Sequence, residues 1–246
     1  MKSFRKNLKE GSYGRIHASI HAPYQFDESL LEAFSTPDEI KSQRELASRL
    51  TQHYSGLLTN KTHSDAIKNY TSSSNETNNF LWKSSPHNRD KDNIFGTNYS
   101  IIKPKIKILD KALSLYKTPH PLTVWSSTTH NPMVERGDSD YVHHPAFLST
   151  TIDKSVAINR DINSTRNKNG DSHHHILHIN VPEGHNGAYI DHISSLRGER
   201  EFLLPRGLNM RYHRTESTKI PMKDYYTGKM VHKFTHIHHM SLDPTT

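Results

Sequence analysis

Two glutamates separated by one residue, Glu199 and Glu201, lead directly into the apolar run Phe202-Leu203-Leu204. Residues i and i+2 of a β-strand share a face, so the spacing predicts that both carboxylates point into one cleft. Paired carboxylates in a cleft can move protons or stabilise a developing positive charge. A solvated strand edge is the simpler interpretation, because like charges on one face repel each other unless water surrounds them.

The chain has no cysteine and 20 histidines. Without thiols, disulfides and zinc-thiolate sites are excluded, and any nucleophile or acid-base group must be Ser, Thr, His, Lys or a carboxylate. The histidines cluster at residues 143–144, 173–175 and 236–239. No carboxylate pattern accompanies them, so we predict solvated strand and loop histidines and no metal site.

The first half of the chain has the pattern of helices. Thr36 is a suitable N-cap, Pro37 suits the first helical position and Glu39 completes a capping box, which predicts a helix that runs to about Leu58. Apolar residues at helical spacing predict three further helices, around residues 64–70, 76–81 and 106–116.

The second half changes to short apolar or β-branched runs between turns. These predict strands at residues 122–125, 146–151, 176–181, 188–190, 201–204 and 230–238. Helices followed by strands indicate an α+β fold in one domain of residues 36–246, with a helical part at 36–118 and a sheet core at 119–246. Residues 1–35 are expected to form an irregular N-terminal arm, and the polar stretch 159–172 a functional loop.

Three of the predicted strand regions together resemble the mono-ADP-ribosyltransferase family, in particular its arginine-specific, toxin-like and phage-encoded members. That family has an aromatic-Arg-Gly motif, then Phe-x-Ser-Thr-Ser, then Glu-x-Glu before an apolar run. The corresponding segments here are Val124-Trp125-Ser126-Ser127, Phe147-Leu148-Ser149-Thr150-Thr151 and Glu199-Arg200-Glu201.

The resemblance extends into the helical half and covers about residues 36–240. Tyr70-Thr71, Ser74, Asn78 and Leu81 are similar to a helical pattern of the same family. It implies an ADP-ribosyltransferase fold, in which N-terminal helices pack on two antiparallel β-sheets that form an NAD cleft. The implied reaction transfers ADP-ribose from NAD, as co-substrate, to a protein side chain, with arginine as the expected acceptor.

The resemblance also implies roles for single residues. Cleavage of the N-glycosidic bond of NAD leaves positive charge on the ribose, which a nearby carboxylate stabilises. Glu201 is expected to hold the ribose and stabilise this charge, Glu199 to orient or deprotonate the acceptor, and Ser149 to keep Glu201 in register. The residues expected to border the cofactor are Trp125, Ser126, Ser127, Thr150 and Thr151.

One departure from the family pattern concerns the phosphates of NAD. Ser126 occupies the position of the family's arginine and Ser127 that of its glycine, so the motif carries no cation. We expect compensation by another cation, such as Arg136 or Arg160, or an altered pose of NAD, rather than weak NAD binding. Two alternatives stay open: a catalytically inactive binding protein, and an enzyme that hydrolyses NAD without a protein acceptor.

A net charge of +7 favours encounters with acidic partners. The expected partner is a target protein, such as a component of the host transcription or translation machinery, and nucleic acid would be bound without specificity. No apolar run reaches about 18 residues, and no signal-peptide pattern follows Met1, so we expect no membrane contact and a cytoplasmic location, including that of a host or target cell.

Overall fold

The computed structural model describes residues 36–85, 99–128, 131–159, 165–166, 172–223 and 230–244. The predicted N-terminal arm, Arg160 and most of the polar loop 159–172 lie outside these ranges. None of the helices in the described ranges is both long and apolar enough to cross a membrane.

The four predicted helices are confirmed. They are α1 (Pro37–His53), α2 (Lys61–Ser72), α3 (Ser74–Ser84) and α4 (Tyr99–Ser114), and a 3₁₀ turn at Ser55–Leu58 follows α1. The predicted capping box starts α1, because the Glu39 amide donates to Thr36 Oγ1 and the Thr36 amide donates to the Glu39 carboxylate at 2.7 Å. Asn60 caps α2 through the His63 amide at 3.1 Å.

The second half of the chain contains nine strands and two short helices in the described residues. In chain order these are β1 (Leu122–Thr128), α5 (Pro132–Arg136), β2 (Tyr141–His144), β3 (Leu148–Thr151), α6 (Lys154–Asn159), β4 (Thr165–Arg166), β5 (Ser172–Val181), β6 (Ala188–Tyr189), β7 (Glu201–Leu204), β8 (Leu208–Lys223) and β9 (Met230–Leu242). The predicted α+β class is therefore confirmed. The sequence patterns did not predict β2, β4, β8 or the two short helices.

The strands are hydrogen-bonded in the order β2-β8-β9-β5-β1-β3-β7-β6, with β4 on β5. This continuous strand order differs in detail from the predicted pair of separate antiparallel sheets. In the described residues β5 and β9 are parallel, and β1 pairs with β3 only where Trp125 faces Thr151. Apart from β4, the strand order therefore approximates two sheets, one of five strands and one of three strands. They diverge from the single residue pair that joins β1 to β3.

The helices pack on the sheet through one apolar core, to which Tyr54, Leu57 and Leu109 contribute from the helical side. Tyr70 connects the helices to the start of β3: its hydroxyl donates to the Phe147 carbonyl at 3.4 Å, and Asn78 Nδ2 donates to that hydroxyl at 3.0 Å. Two residues of the family-like helical pattern, Tyr70 and Asn78, therefore hold the strand that carries Ser149.

Candidate active site

A narrow cleft opens where β1 and β3 diverge and where α6 packs against both strands. It is lined by Trp125, Ser126, Ser127, Ser149, Thr150, Thr151, Val156, Ala157 and Glu199. All the sequence-predicted site residues except Glu201 are among these, and Glu201 is joined to the cleft by its hydrogen bond to Ser149.

Glu201 is the first residue of β7 and faces Thr151 of β3. Its side chain is buried, and each carboxylate oxygen accepts a hydroxyl hydrogen bond. Ser149 Oγ donates to Oε1, and Ser194 Oγ donates to Oε2 at 3.1 Å. Ser194 was missed by the sequence analysis because it lies in a turn with no strand or helix pattern. Two hydroxyls from different segments thus fix the orientation of this carboxylate.

Glu199 reaches the cleft in a different way from the one predicted. The strand begins at Glu201, and Arg200 has a left-handed backbone with φ of 50°. The i and i+2 rule for a strand therefore does not apply, and the prediction of a shared strand face is wrong. Glu199 projects from a turn, yet it is buried and lines the cleft, whereas Glu201 is joined to the cleft through its hydrogen bond to Ser149.

The side chain of an aspartate binds the backbone amides of this turn. Asp191 Oδ1 accepts from the Gly198 amide at 3.0 Å and from the Arg200 amide at 2.8 Å. Burial raises the pKa of Asp191, and these backbone donors oppose that shift. The turn is thus closed by a side chain eight residues before Glu199, which no local sequence rule indicated.

The two serine hydroxyls of the first motif make hydrogen bonds within the protein. Ser126 Oγ donates to the Ser149 carbonyl at 2.9 Å and so continues the link between β1 and β3 beyond their single residue pair. Ser127 Oγ donates to the Ala157 carbonyl at 3.0 Å and lies 2.5 Å from His174 Nε2. These two serines border the cleft but bring no positive charge to it.

Thr150 and Thr151 also make bonds within the protein. Thr150 Oγ1 donates to the Phe202 carbonyl at 2.5 Å, across to β7. Thr151 Oγ1 accepts from the Asp153 amide at 3.0 Å, at the end of β3. Both threonines line the cleft, and their hydroxyls fix the strand that carries Ser149.

The prediction that Arg136 replaces the missing cation is wrong. Its guanidinium lies 4.6 Å from the ring centroid of Tyr212 on β8 and donates to the Ser139 carbonyl. Three strand spacings, about 14 Å, separate β8 from β1. Arg160 lies outside the described residues. A different cation, Lys154 of α6, lies close to a residue that lines the cleft, with its Nζ 5.6 Å from the ring centroid of Trp125.

The prediction of solvated histidines is wrong for β5 and β9. His173 Nδ1 and His236 Nε2 are 2.7 Å apart, and His175 Nδ1 and His238 Nε2 are 3.0 Å apart. The rings of neighbouring pairs stack, with His175 and His236 centroids 5.0 Å apart. Across the part of the chain that the structure describes, no three His, Asp or Glu side chains are arranged to hold a metal ion.

Comparisons with known proteins agree with this fold. The chain is similar to the Vis toxin, an ADP-ribosyltransferase from Vibrio splendidus, with 14% identity, 89% and 92% of the two chains covered and a TM-score of 0.58. It is also similar to Plx2a, an ADP-ribosyltransferase toxin from Paenibacillus larvae, with 17% identity, 80% and 96% coverage and a TM-score of 0.54. Such identities establish a shared fold only.

A third similar structure is C3stau2 from S. aureus with NAD, at 16% identity, 80% and 96% coverage and a TM-score of 0.53. A search of curated protein sequences found no match. The family model described as ADP-ribosyltransferase exoenzyme matches residues 41–233, which is most of the chain and includes both glutamates and the three strand motifs. The chain therefore belongs to the ADP-ribosyltransferase exoenzyme family.

Proposed function

We propose that this protein is a mono-ADP-ribosyltransferase that uses NAD, releases nicotinamide and modifies an arginine side chain of a target protein. The observation that carries the proposal is the buried Glu201, whose two carboxylate oxygens are held by Ser149 and Ser194, two residues after a second buried glutamate that lines the cleft. A fixed negative charge at a cleft suits a reaction in which positive charge develops on a sugar.

Side chains at the edge of the cleft have the chemical character that binding of NAD requires. Trp125 offers an aromatic face at its edge, and Lys154 carries a positive charge close to that face. We propose that Lys154 faces the diphosphate of NAD, in the role that the sequence analysis had assigned to an arginine. Among the described residues Arg200 lies nearer the glutamates, but its guanidinium is already paired with Asp153. The NAD in the C3stau2 structure supports this choice of co-substrate.

Glu199 is the residue we assign to the acceptor. Once the bond to nicotinamide breaks, an incoming guanidinium must be oriented and must lose a proton, and a carboxylate serves both purposes. The Vis toxin has been solved in complex with agmatine, a compound that ends in the same guanidinium group as arginine. This complex supports arginine as the acceptor.

The setting that we propose is the cytoplasm of a host or target cell, where a phage or bacterial effector would modify an acidic component of transcription or translation. The net charge of +7 supports such a partner through faster encounter, since electrostatic attraction raises association rates.

The test uses NAD with a tagged adenylate and bacterial lysate as acceptor, with nicotinamide release measured in parallel. Glu201→Gln removes the charge and keeps the size of the side chain, so both signals should fall at least about a hundredfold. Glu183→Gln is the matched control, because Glu183 is an exposed glutamate in the turn between β5 and β6. Its activity should equal that of the wild type.

The other outcomes separate the remaining candidates. Nicotinamide release without labelled proteins would favour an NAD glycohydrolase. Silence of the wild type in both measurements would favour a catalytically inactive binding protein, a candidate supported by Ser126, which brings no cation to the first motif.

A further inference from the structure

The residue between the two glutamates has an unusual backbone. Arg200 has φ of 50°, and it is the one non-glycine residue with positive φ in the described ranges. Residues other than glycine generally avoid this left-handed region because Cβ approaches the carbonyl oxygen. Such a conformation persists where the surroundings enforce it, and it is typical of functional sites.

Arg200 is also held through its side chain. Its Nη1 lies 2.5 Å from Asp153 Oδ2 and 3.3 Å from Gln43 Oε1. The side chains of Arg200 and Asp153 are 11% and 0% exposed, so this ion pair is buried. The second oxygen of Asp153 accepts from the Ser155 amide at 2.9 Å. Removing one partner of a buried pair leaves an uncompensated charge, so neither side chain can readily leave.

Three separate segments thus converge on Arg200. Gln43 belongs to α1, Asp153 lies between β3 and α6, and Asp191 binds the Arg200 amide from the turn after β6. The Arg200 carbonyl in turn accepts from the Ile152 amide at 3.2 Å. The conformation of the turn therefore depends on contacts far away in the sequence.

We propose that Arg200 is a positioning residue, and that its buried ion pair with Asp153 maintains the left-handed turn that carries Glu199 into the cleft. Glu201 has supports outside this turn, because its pairing in β7 and the hydroxyls of Ser149 and Ser194 hold it. Loss of the ion pair should then displace Glu199 and leave Glu201 in place. The catalytic consequence rests on the proposed function: transfer to an acceptor is lost, whereas nicotinamide release continues.

The variants separate charge from backbone conformation. Arg200→Asn removes the guanidinium but keeps a residue type that tolerates positive φ. Asp153→Asn removes the other charge, and the double variant removes both. Arg206→Asn is the matched control, since Arg206 forms a partly exposed pair with Asp110, with Nε 2.9 Å from Oδ1.

Transfer of ADP-ribose to agmatine and to lysate proteins is compared with nicotinamide release. We expect Arg200→Asn and Asp153→Asn to lower transfer at least about tenfold, because a misplacement of about 1 Å can reduce a rate a hundredfold. Nicotinamide release should change less than about threefold, and the double variant should be more stable than Asp153→Asn. A parallel fall of transfer and release, or no change in either, would overturn the proposal.

Amide hydrogen exchange provides a readout that needs no activity. In Arg200→Asn the amides of residues 198–200 should lose protection, whereas those of residues 201–204 in β7 keep it. Unchanged protection at 198–200 would overturn the proposal even if the wild type releases no nicotinamide. An inactive wild type would contradict the proposed function, and the exchange data would still decide the role of Arg200.

Discussion

Ser194 is the residue that the structure adds to the predicted site. Its buried hydroxyl donates to Glu201 Oε2, and its oxygen accepts from the Leu196 amide at 3.1 Å. The amide fixes the position of the oxygen, so the hydroxyl hydrogen is free to point at the carboxylate. Ser194 therefore orients Glu201 from the side opposite Ser149.

Ser194→Ala should lower the kcat of nicotinamide release about tenfold, which is the effect of losing one hydrogen bond to a charged group. Ser195→Ala is the control, because the Ser195 hydroxyl donates to the Lys68 carbonyl and not to Glu201. Equal rates for both variants would show that Ser149 and β7 alone orient the carboxylate.

Lys154→Ala should raise the KM for NAD about tenfold with little change in kcat, because a charge that contacts the diphosphate binds the ground state and the transition state alike. Lys154→Arg should stay within about threefold of the wild type. Steady-state nicotinamide release measures both constants, with Lys107→Ala, an exposed lysine of α4, as control. A normal KM for Lys154→Ala would exclude Lys154 from the diphosphate site.

At the scale of elements, β5 and β9 are joined by imidazoles as well as by backbone hydrogen bonds. Two hydroxyl groups of β8 extend the imidazole pairs between β5 and β9. Ser217 Oγ lies 2.8 Å from His236 Nδ1, and Thr215 Oγ1 lies 2.9 Å from His238 Nδ1. On the other face of these strands His239 Nε2 is 3.2 Å from Glu216, which Arg214 also binds.

Burial, and then the neighbouring imidazoles, lower the pKa of these side chains. The pKa of His175 falls to about 3 and that of His238 to about 4. Burial likewise lowers the pKa of His178 to about 4, with His239 and Arg214 adding to the shift and Glu216 opposing it. These histidines are therefore neutral in the folded protein at pH 7.

The unfolded chain binds protons at these histidines near pH 6.5, and the folded chain does so only near pH 3 to 4. Their contribution to stability is thus complete above about pH 6.5 and is lost as the pH falls below that value. Allowing for partial solvation, we expect the free energy of unfolding to drop on the order of 3 kcal/mol between pH 7 and pH 5.

Urea unfolding at pH 7, 6 and 5 measures this drop. His238→Gln should flatten the pH dependence, because one of the depressed groups is removed. His53→Gln, which changes an exposed histidine at the end of α1, should leave the slope unchanged. A slope that is the same in all three proteins would contradict the prediction.

At the scale of the whole molecule, the cleft lies where the two parts of the sheet meet at Trp125 and Thr151. The five-strand part supplies Trp125, Ser126 and Ser127, and the three-strand part supplies the other motif residues. The helices fasten the three-strand part through Tyr70, and Gln43 of α1 reaches the turn that carries Glu199. A ligand in the cleft therefore contacts both parts of the sheet, α6 and the turn that carries Glu199, and the helices in turn hold these segments.

NAD should consequently stabilise the entire domain. At about 100 times its dissociation constant, a ligand that binds only the folded state adds about 2.7 kcal/mol to the free energy of unfolding. Thermal unfolding with increasing NAD measures this, and Glu201→Gln keeps the titration free of turnover. Absence of any rise in Tm for both proteins would contradict NAD binding.

Local patterns in the sequence were sufficient to predict α1 to α4, six of the nine described strands and the three strand motifs. A capping box, helical spacing and apolar alternation are properties of neighbouring residues, so the chain determines them before it folds. The long strand β8 was not predicted, because its apolar alternation is limited to Leu208, Met210 and Tyr212 and the following residues 213–219 are all charged or polar.

Only the tertiary structure decided which side chains meet. The left-handed turn at Arg200 depends on Asp153, 47 residues earlier, and the hydroxyl on Glu201 from β3 comes from 52 residues earlier. Burial of the histidines on β5 depends on β9, more than 60 residues later. Residue types and spacing determined the motifs and the family. Contacts between distant segments determined how Glu199 enters the cleft, that Lys154 lies near it, and which histidines are buried.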